Sequence, residues 1–381
     1  MASGGILITA FEPSGDALAA RLIAALRRDG CDLPIHALGG PRMHNAGAEL
    51  VETTTQRPAM LLGAASQALE HRKRLARLAA WLDAHDISTL IPTDSPAANF
   101  SICALVRRKK PEAKIVHLVA PQLWAWGRWR VHKLRRLTDR MMCLLPFEPA
   151  WFEERRVPAT FVGHPLFEHL EPSPRSAELP DHHGRRLALL PGSRSSEVKA
   201  NWPTVLGVIH RLREDVPDLH AAVAASDDER AELIRSLGNG ELPGDTSMLV
   251  GDAGAVLDWA GSALIVSGTA SLEAATRNIP MAVFYNASAL QWHTLGKRLI
   301  DARTFALPNI ITESRGEGRC VPELIPHFGE VPPVVEAIRP VLTDADLRER
   351  QQQAFARIAR TFGEVHFGEA ATRTVRETAR I

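Results

Sequence analysis

Four short stretches of the sequence set charged or small residues directly behind an apolar run, where loop amides and side chains can meet a ligand. Glu12-Pro13-Ser14-Gly15-Asp16 follows one such run and opens an amphipathic segment, so its amides can receive a polar or anionic group. Ser14 or Asp16 is the expected cap of that helix, with Glu12 at the ligand edge. Pro92-Thr93-Asp94-Ser95-Pro96 ends a second run with a carboxylate, which is either a helix cap or, where other groups converge on it, a general base. Leu190-Pro191-Gly192-Ser193-Arg194 joins a glycine for close backbone approach to a guanidinium, a pairing suited to a diphosphate. Ser267-Gly268-Thr269-Ala270-Ser271-Leu272-Glu273 leaves a strand through small residues, with Glu273 a turn later and able to grip the vicinal hydroxyls of a ribose. Each of the last two is a weak signal alone; together in one half of the chain they predict a nucleoside diphosphate site.

Other chemistries lack their residues. There is no G-x-G-x-x-G and no G-x-x-x-x-G-K-[ST], which removes the usual support for dinucleotide dehydrogenases and P-loop enzymes. Cys31, Cys103, Cys143 and Cys320 are scattered, with no Cys-x-x-Cys and no Cys/His grouping, so neither a disulfide framework nor a zinc site is expected and a reducing cytoplasm fits. Trp124-Ala125-Trp126 runs into Arg128-Trp129-Arg130-Val131-His132-Lys133, interleaving aromatic and basic groups. With a sequence pI of about 7.9 and no RNA- or DNA-binding pattern, nucleic acid is not an expected partner, and domain packing or an anionic amphiphile is favoured.

The elements that must position these residues read as parallel βαβ units. At 381 residues, 45% apolar and 23% charged, the chain is long enough for two domains with sizeable cores. Apolar runs at 6–10, 35–38, 89–92, 115–119, 141–145 and 160–162 alternate with helical segments such as 16–28, 67–84 and 100–108. A second series follows at 187–190, 221–225, 248–250, 263–266, 281–284 and 304–307. Between them, 168–185 holds Pro172, Pro174, Pro180 and His182-His183 without apolar period and reads as a linker. The expected fold is α/β, with two Rossmann-like domains, 1–167 and 186–343, facing a central cleft onto which the ligand loops of both sheets open. Residues 344–381 are expected as helices bracing the first domain or a partner chain.

No apolar stretch approaches the ~18–20 residues of a membrane span. The net charge of +1 hides an asymmetry, 22 Lys and Arg against 15 Asp and Glu through residue 165 and 23 against 29 thereafter. Basic runs at 71–74, 107–110 and 128–136 contribute to the first-half excess. Ala59-Met60-Leu61-Leu62-Gly63 directly precedes the helix carrying Arg72-Lys73-Arg74, an apolar wedge with a basic flank that suits anionic headgroups.

These motifs resemble those of the lipid-A-disaccharide synthase family, inverting glycosyltransferases of GT-B architecture. The likeness runs over nearly the whole chain: the segment 12–16, Gly39-Gly40-Pro41-Arg42-Met43, Asp94-Ser95-Pro96, Trp124-Ala125-Trp126, Leu145-Pro146-Phe147-Glu148, Gly163-His164-Pro165, the segments 190–194 and 267–273, Lys297-Arg298-Leu299 and Leu307-Pro308-Asn309. The resemblance implies an enzyme that joins UDP-2,3-diacylglucosamine to 2,3-diacylglucosamine 1-phosphate, forming the β-1,6-linked disaccharide 1-phosphate and UDP. It implies a peripheral enzyme on the cytoplasmic face of the inner membrane that needs no cofactor and no metal, with a second copy of the chain as a further expected partner. Asp94 would take the proton of the acceptor's 6-hydroxyl, with Glu12 and Asn309 near the reacting sugars. Gly192, Ser193, Arg194, Ser267, Gly268, Thr269 and Glu273 would hold UDP; Met60, Leu61, Leu62, Arg72, Lys73 and Arg74 would face the membrane or acceptor. The chain departs from the family where Ala97-Ala98 replaces an Asp-Phe pair, where Ser66 replaces a Glu, and where Asn286 follows Tyr285 in place of a basic residue. The same architecture also serves UDP-sugar epimerases, transferases with other acceptors and non-catalytic nucleotide- or lipid-binding relatives.

Overall fold

The computed structural model describes residues 4–55, 64–94, 96–168, 171–238, 240–288, 292 and 302–381. They form two compact units, Met1–Glu168 with Phe362–Ile381, and His169–Thr361.

The first unit is a seven-stranded parallel sheet in the order β3-β2-β1-β4-β5-β6-β7. Its strands are β1 (Gly5–Thr9), β2 (Ile35–Gly39), β3 (Glu49–Thr53), β4 (Ile87–Pro92), β5 (Lys114–Leu118), β6 (Arg140–Cys143) and β7 (Ala159–Phe161). Side chains alternate across a pleated strand, and in β1 both faces are apolar because both are covered. Ile6 and Ile8 pack with Leu22, Ile23 and Leu26 of α1 (Pro13–Arg28), whereas Leu7 packs with Leu78 and Leu82 of α3 (Ala64–Ala84) and Ile102 and Val106 of α4 (Pro96–Lys109). The short α2 (Pro41–Asn45) joins β2 to β3, while α5 (Val131–Leu137) and α6 (Glu148–Glu153) flank β6 in sequence.

The second unit is a six-stranded parallel sheet, β10-β9-β8-β11-β12-β13. It comprises β8 (Arg185–Leu190), β9 (Leu219–Ala225), β10 (Thr246–Val250), β11 (Ser262–Val266), β12 (Met281–Asn286) and β13 (Glu323–His327). Leu187 and Leu189 of β8 bury against Val198, Trp202 and Val205 of α7 (Ser195–Asp215). The other helices are α8 (Asp228–Leu237), α9 (Ala253–Trp259), α10 (Thr269–Thr276), α11 (Leu307–Ser314), α12 (Val331–Thr343) and α13 (Ala345–Gly363), with α14 (Phe367–Ala379) in the first unit.

Four sequence expectations are corrected. The run at 304–307 is not a strand: its apolar residues lead into α11, with Pro308 in the first turn, where its missing N–H costs nothing. The sixth strand is instead β13, a half-exposed edge strand; β3, Glu-Leu-Val-Glu-Thr, is likewise a polar edge strand without the apolar content that marks the others. The segment 168–185 is not a loose linker, because the Ser173 amide donates to Asp258 at 2.7 Å, the Ser173 hydroxyl to Asp252 at 2.7 Å and Arg175 to the Val250 carbonyl at 2.9 Å. Residues 344–381 divide: Gln351 on α13 exchanges hydrogen bonds with the backbone of Met281, while Phe367, Ala371 and Val375 of α14 complete the core around β1 and α1.

Candidate active site

In the first unit the strand order reverses between β1 and β4, so the loops leaving those strands lie side by side at the carboxyl edge of the sheet, where doubly wound folds bind ligands. Asp94 stands there with φ of 54°, a left-handed backbone that costs a non-glycine residue on the order of 1–3 kcal/mol. Buried Asn99 on α4 holds this turn: its Nδ2 donates to the carbonyls of Thr93 (2.8 Å) and Asp94 (3.0 Å), and its Oδ1 accepts from the Thr9 hydroxyl (2.6 Å). The Asp94 carboxylate accepts the amides at the mouth of α1, Phe11 at 3.3 and 3.4 Å and Glu12 at 3.2 Å. Gly15 makes room for it, since a Cβ there would lie 1.8 Å from Asp94 Oδ2. Glu12 is the exposed N-cap residue of α1.

The expected cap role of Ser14 or Asp16 is corrected by the same loop. No side chain caps α1; buried Asp16 instead accepts from the amides of Gly40 (2.9 Å), Arg42 (3.1 Å) and Met43 (3.2 Å), so it caps the neighbouring α2.

In the second unit the reversal falls between β8 and β11. The loop after β8 turns through Gly192 at φ of 111°, and a Cβ there would come within 2.6 Å of Glu197 Cβ. The amides of Ser193 and Arg194 donate to Glu197 Oε2 at 3.0 and 3.2 Å, and the Arg194 guanidinium to Oε1 at 2.9 Å. Of the Gly192 and Ser193 amides that the resemblance sets against a diphosphate, that of Ser193 therefore already holds an anion, a carboxylate of the helix that follows. Half-buried Tyr285 lies beside this pair: burial and the charge of Glu197 raise its hydroxyl pKa, while Arg194 opposes them. After β11, exposed Gly268 and Thr269 open α10, whose first turn has no side-chain cap. Ser267 precedes them, its amide donating to the Phe284 carbonyl at 3.1 Å. Glu273 sits a turn into α10, 3.7 Å from Arg277. Burial raises its pKa; Arg277 pulls it down, while the carboxylates of Asp252 and Asp258 push it further up.

A family model described as Lipid-A-disaccharide synthetase matches residues 6–366. Curated relatives named lipid-A-disaccharide synthase include those of Myxococcus xanthus, 33% identical over 98% of this chain and 97% of the relative, and of Geobacter sulfurreducens, 31% identical over 94% and 93%. The chain belongs to the lipid-A-disaccharide synthase family. It is thus a glycosyltransferase of lipid A biosynthesis, and the epimerase and non-catalytic readings are not favoured. Solved structures with the same fold include the spinosyn rhamnosyltransferase SpnG complexed with thymidine diphosphate (TM-score 0.63, 12% identity, 98% of this chain and 100% of that one). The UDP-GlcNAc 2-epimerase of Neisseria meningitidis bound to UDP-GlcNAc is another (TM-score 0.61, 11% identity, 94% and 100%).

Within this family's pattern the structure sorts the candidate residues. Asp94 and Glu12 meet at one strand-order reversal; Gly192, Ser193 and Arg194 and the residues from Ser267 to Glu273 meet at the other. Asn309 is a correction: it is buried, donates to the Val321 carbonyl (3.0 Å) and to Glu323 (2.9 Å), and accepts from the amides of Cys320 (2.8 Å) and Val321 (2.9 Å). All four bonds of its amide are spent tying α11 to Cys320, Val321 and Glu323 at the entry to β13, which leaves none for a sugar. Arg74 is half-buried and donates to Glu52 at 2.8 Å; Arg72 and Lys73 beside it are exposed. Asn286, in place of a basic residue, is bound to α7 through Asn201, Ala200 and Thr204, each at 2.8 Å. Met60, Leu61, Leu62, Ser95 and the Lys297-Arg298-Leu299 motif lie outside the described residues. Asn99, Gly15 and Glu197 escaped the reading of individual residue types; only Glu197's position three residues after Arg194, at a helix start, signals its capping role.

Proposed function

We infer that the protein transfers 2,3-diacylglucosamine from its UDP derivative to the 6-hydroxyl of 2,3-diacylglucosamine 1-phosphate. Asp94 takes the hydroxyl proton as the oxygen attacks the anomeric carbon from the face opposite UDP, the anomeric carbon–oxygen bond breaks, and the configuration inverts. The diphosphate displaces Glu197 from the amides of Ser193 and Arg194, and the Arg194 guanidinium and the start of α10 at Gly268 and Thr269 meet the charge of the leaving group. Glu273 holds the ribose. Each CH₂ moved from a bilayer into water costs ~0.8 kcal/mol, so diacylated substrates are met at a lipid surface, here the cytoplasmic face of the inner membrane.

The observation that supports this reading is the placement of Asp94, held on a left-handed backbone at a strand-order reversal in a chain of this family. The test is incubation with both diacylated substrates, in which disaccharide monophosphate and UDP should appear in equal amounts and vanish in Asp94→Asn while UDP still binds. Release of UDP without disaccharide, or an epimerised UDP-sugar, would replace the reading.

A further inference from the structure

The tryptophan-rich stretch after β5 takes no part in the transfer just described, yet it is built as a two-sided element. Leu123, Trp124, Val131 and Leu134 are buried, and Trp124 donates its indole N–H to buried Glu148 at 3.1 Å, so the segment is anchored to the first unit. Its outer side carries two large apolar groups left in water, Trp126 at 49% and Trp129 at 59% exposure. Arg130 props the first of them, its guanidinium 3.9 Å from the indole centre and its Nη2 donating to the Trp126 carbonyl. Beyond them α5 turns Lys133, Arg135 and Arg136 outward, with exposed His132 and Arg128 on the same strip. No Asp or Glu occurs between Glu112 and Asp139. The segment leaves β5 at the carboxyl edge shared with β4, where Thr93 bridges to Leu118, and so departs from the same edge as Asp94.

An indole is apolar in its body and polar at its N–H, which favours the boundary between acyl chains and headgroups, and each Lys or Arg near an anionic bilayer raises partition roughly fivefold. We propose that Trp126, Trp129 and the basic face of α5 dock the first unit on an anionic lipid surface, beside the edge that carries Asp94. The proposal rests on the lipid substrates inferred above and names the surface that reaches them. A nucleic acid would need open ring faces for its bases, and one face of Trp126 is already taken by Arg130.

The experiment is sedimentation of the whole protein with phosphatidylcholine vesicles, with and without phosphatidylglycerol. It compares wild type with Trp126→Ser plus Trp129→Ser and with Arg135→Glu plus Arg136→Glu. Binding should require phosphatidylglycerol, weaken with salt, and fall at least tenfold in both variants, with melting temperature and UDP affinity unchanged. Were the tryptophan variant to melt lower, the arginine variant decides alone. Vesicle binding equal to wild type in the arginine variant overturns the proposal, as does loss of self-association or of single-stranded RNA binding in its place. Turnover separates this from the reaction itself. Variants that process detergent-dispersed substrate normally but lose vesicle-borne substrate support the docking surface. Wild type that binds vesicles through these residues yet forms no disaccharide leaves the surface standing and removes the transfer.

Discussion

At the start of α1 and at the start of α7 a pair of adjacent backbone amides meets a carboxylate, but the two carboxylates are tethered differently. Asp94 arrives from another strand on a short side chain, its backbone clamped by Asn99 and its oxygens packed against Gly15. Glu197 arrives from three residues into the same helix, on a longer side chain at a surface turn, paired to exposed Arg194. The first arrangement fixes a reagent in place. The second fills an anion site with a longer side chain on a surface turn, and under the proposed function donor phosphate would exchange one set of charge-assisted bonds for another.

The largest effect expected from this contrast is on Asp94. Asp94→Asn keeps the shape but cannot accept the proton, so the rate of disaccharide formation should drop on the order of 10²–10⁴-fold while calorimetric UDP affinity stays within twofold. Gly15→Ala tests the same tether from the other side, because its Cβ must push Asp94 off its amides. A displacement of about 1 Å at a reacting group can cost on the order of 10²-fold, and turnover should fall to that extent with UDP affinity again unchanged. Equal losses of UDP affinity in either variant would erase the distinction between the two carboxylates.

A third carboxylate sharpens the comparison by lacking any escape to water. Burial lifts Glu148 to about 7, against the hydrogen bonds from Trp124 and Leu145 that favour its ionised form. Between its ordinary value of 4.5 and about 7 the folded protein holds a proton that the unfolded chain has lost. Stability from this group is therefore complete below the lower value and declines as pH rises through the window, by roughly 1.4 kcal/mol per pH unit. Burial lowers His117 and His164 to about 4, which makes stability rise with pH below 6.5, so the Glu148 contribution is read as a difference: from pH 5 to 7 denaturant melts should show wild type losing stability relative to Glu148→Gln.

The smallest effect belongs to Glu197. Glu197→Gln replaces a charged acceptor with a neutral one, a difference of about 1 kcal/mol, so UDP should bind about fivefold more tightly as the competitor weakens. Weaker binding of UDP in this variant would mean that Glu197 positions Arg194 for the nucleotide rather than standing in for it.

Much of this architecture was legible because central parallel strands announce themselves: Gly5–Thr9 and Ser262–Val266 are apolar on both faces and lead straight into helices. Two of the four edge strands were not, since Glu49–Thr53 and Glu323–His327 pair on one side only and carry polar residues. In the site, Asp94 and Arg194 were visible from residue type and place in the chain. Asn99 was not, because it acts through backbone groups that residue spacing does not reveal until the turn is folded, and the spacing of Glu197 signals a helix cap but not its hold on the Ser193 amide. Asn309 shows the converse: a motif residue whose polarity invites a substrate contact is spent on the scaffold.

The contrast between a fixed and an exchangeable carboxylate can be read directly from the four amides that hold them. In an ¹⁵N–¹H correlation spectrum of the whole protein titrated with UDP, the amides of Ser193 and Arg194 should shift as Glu197 leaves and phosphate arrives, while those of Phe11 and Glu12 stay where they are on Asp94. Shifts confined to Phe11 and Glu12, with Ser193 and Arg194 unmoved at saturating UDP, would contradict the account.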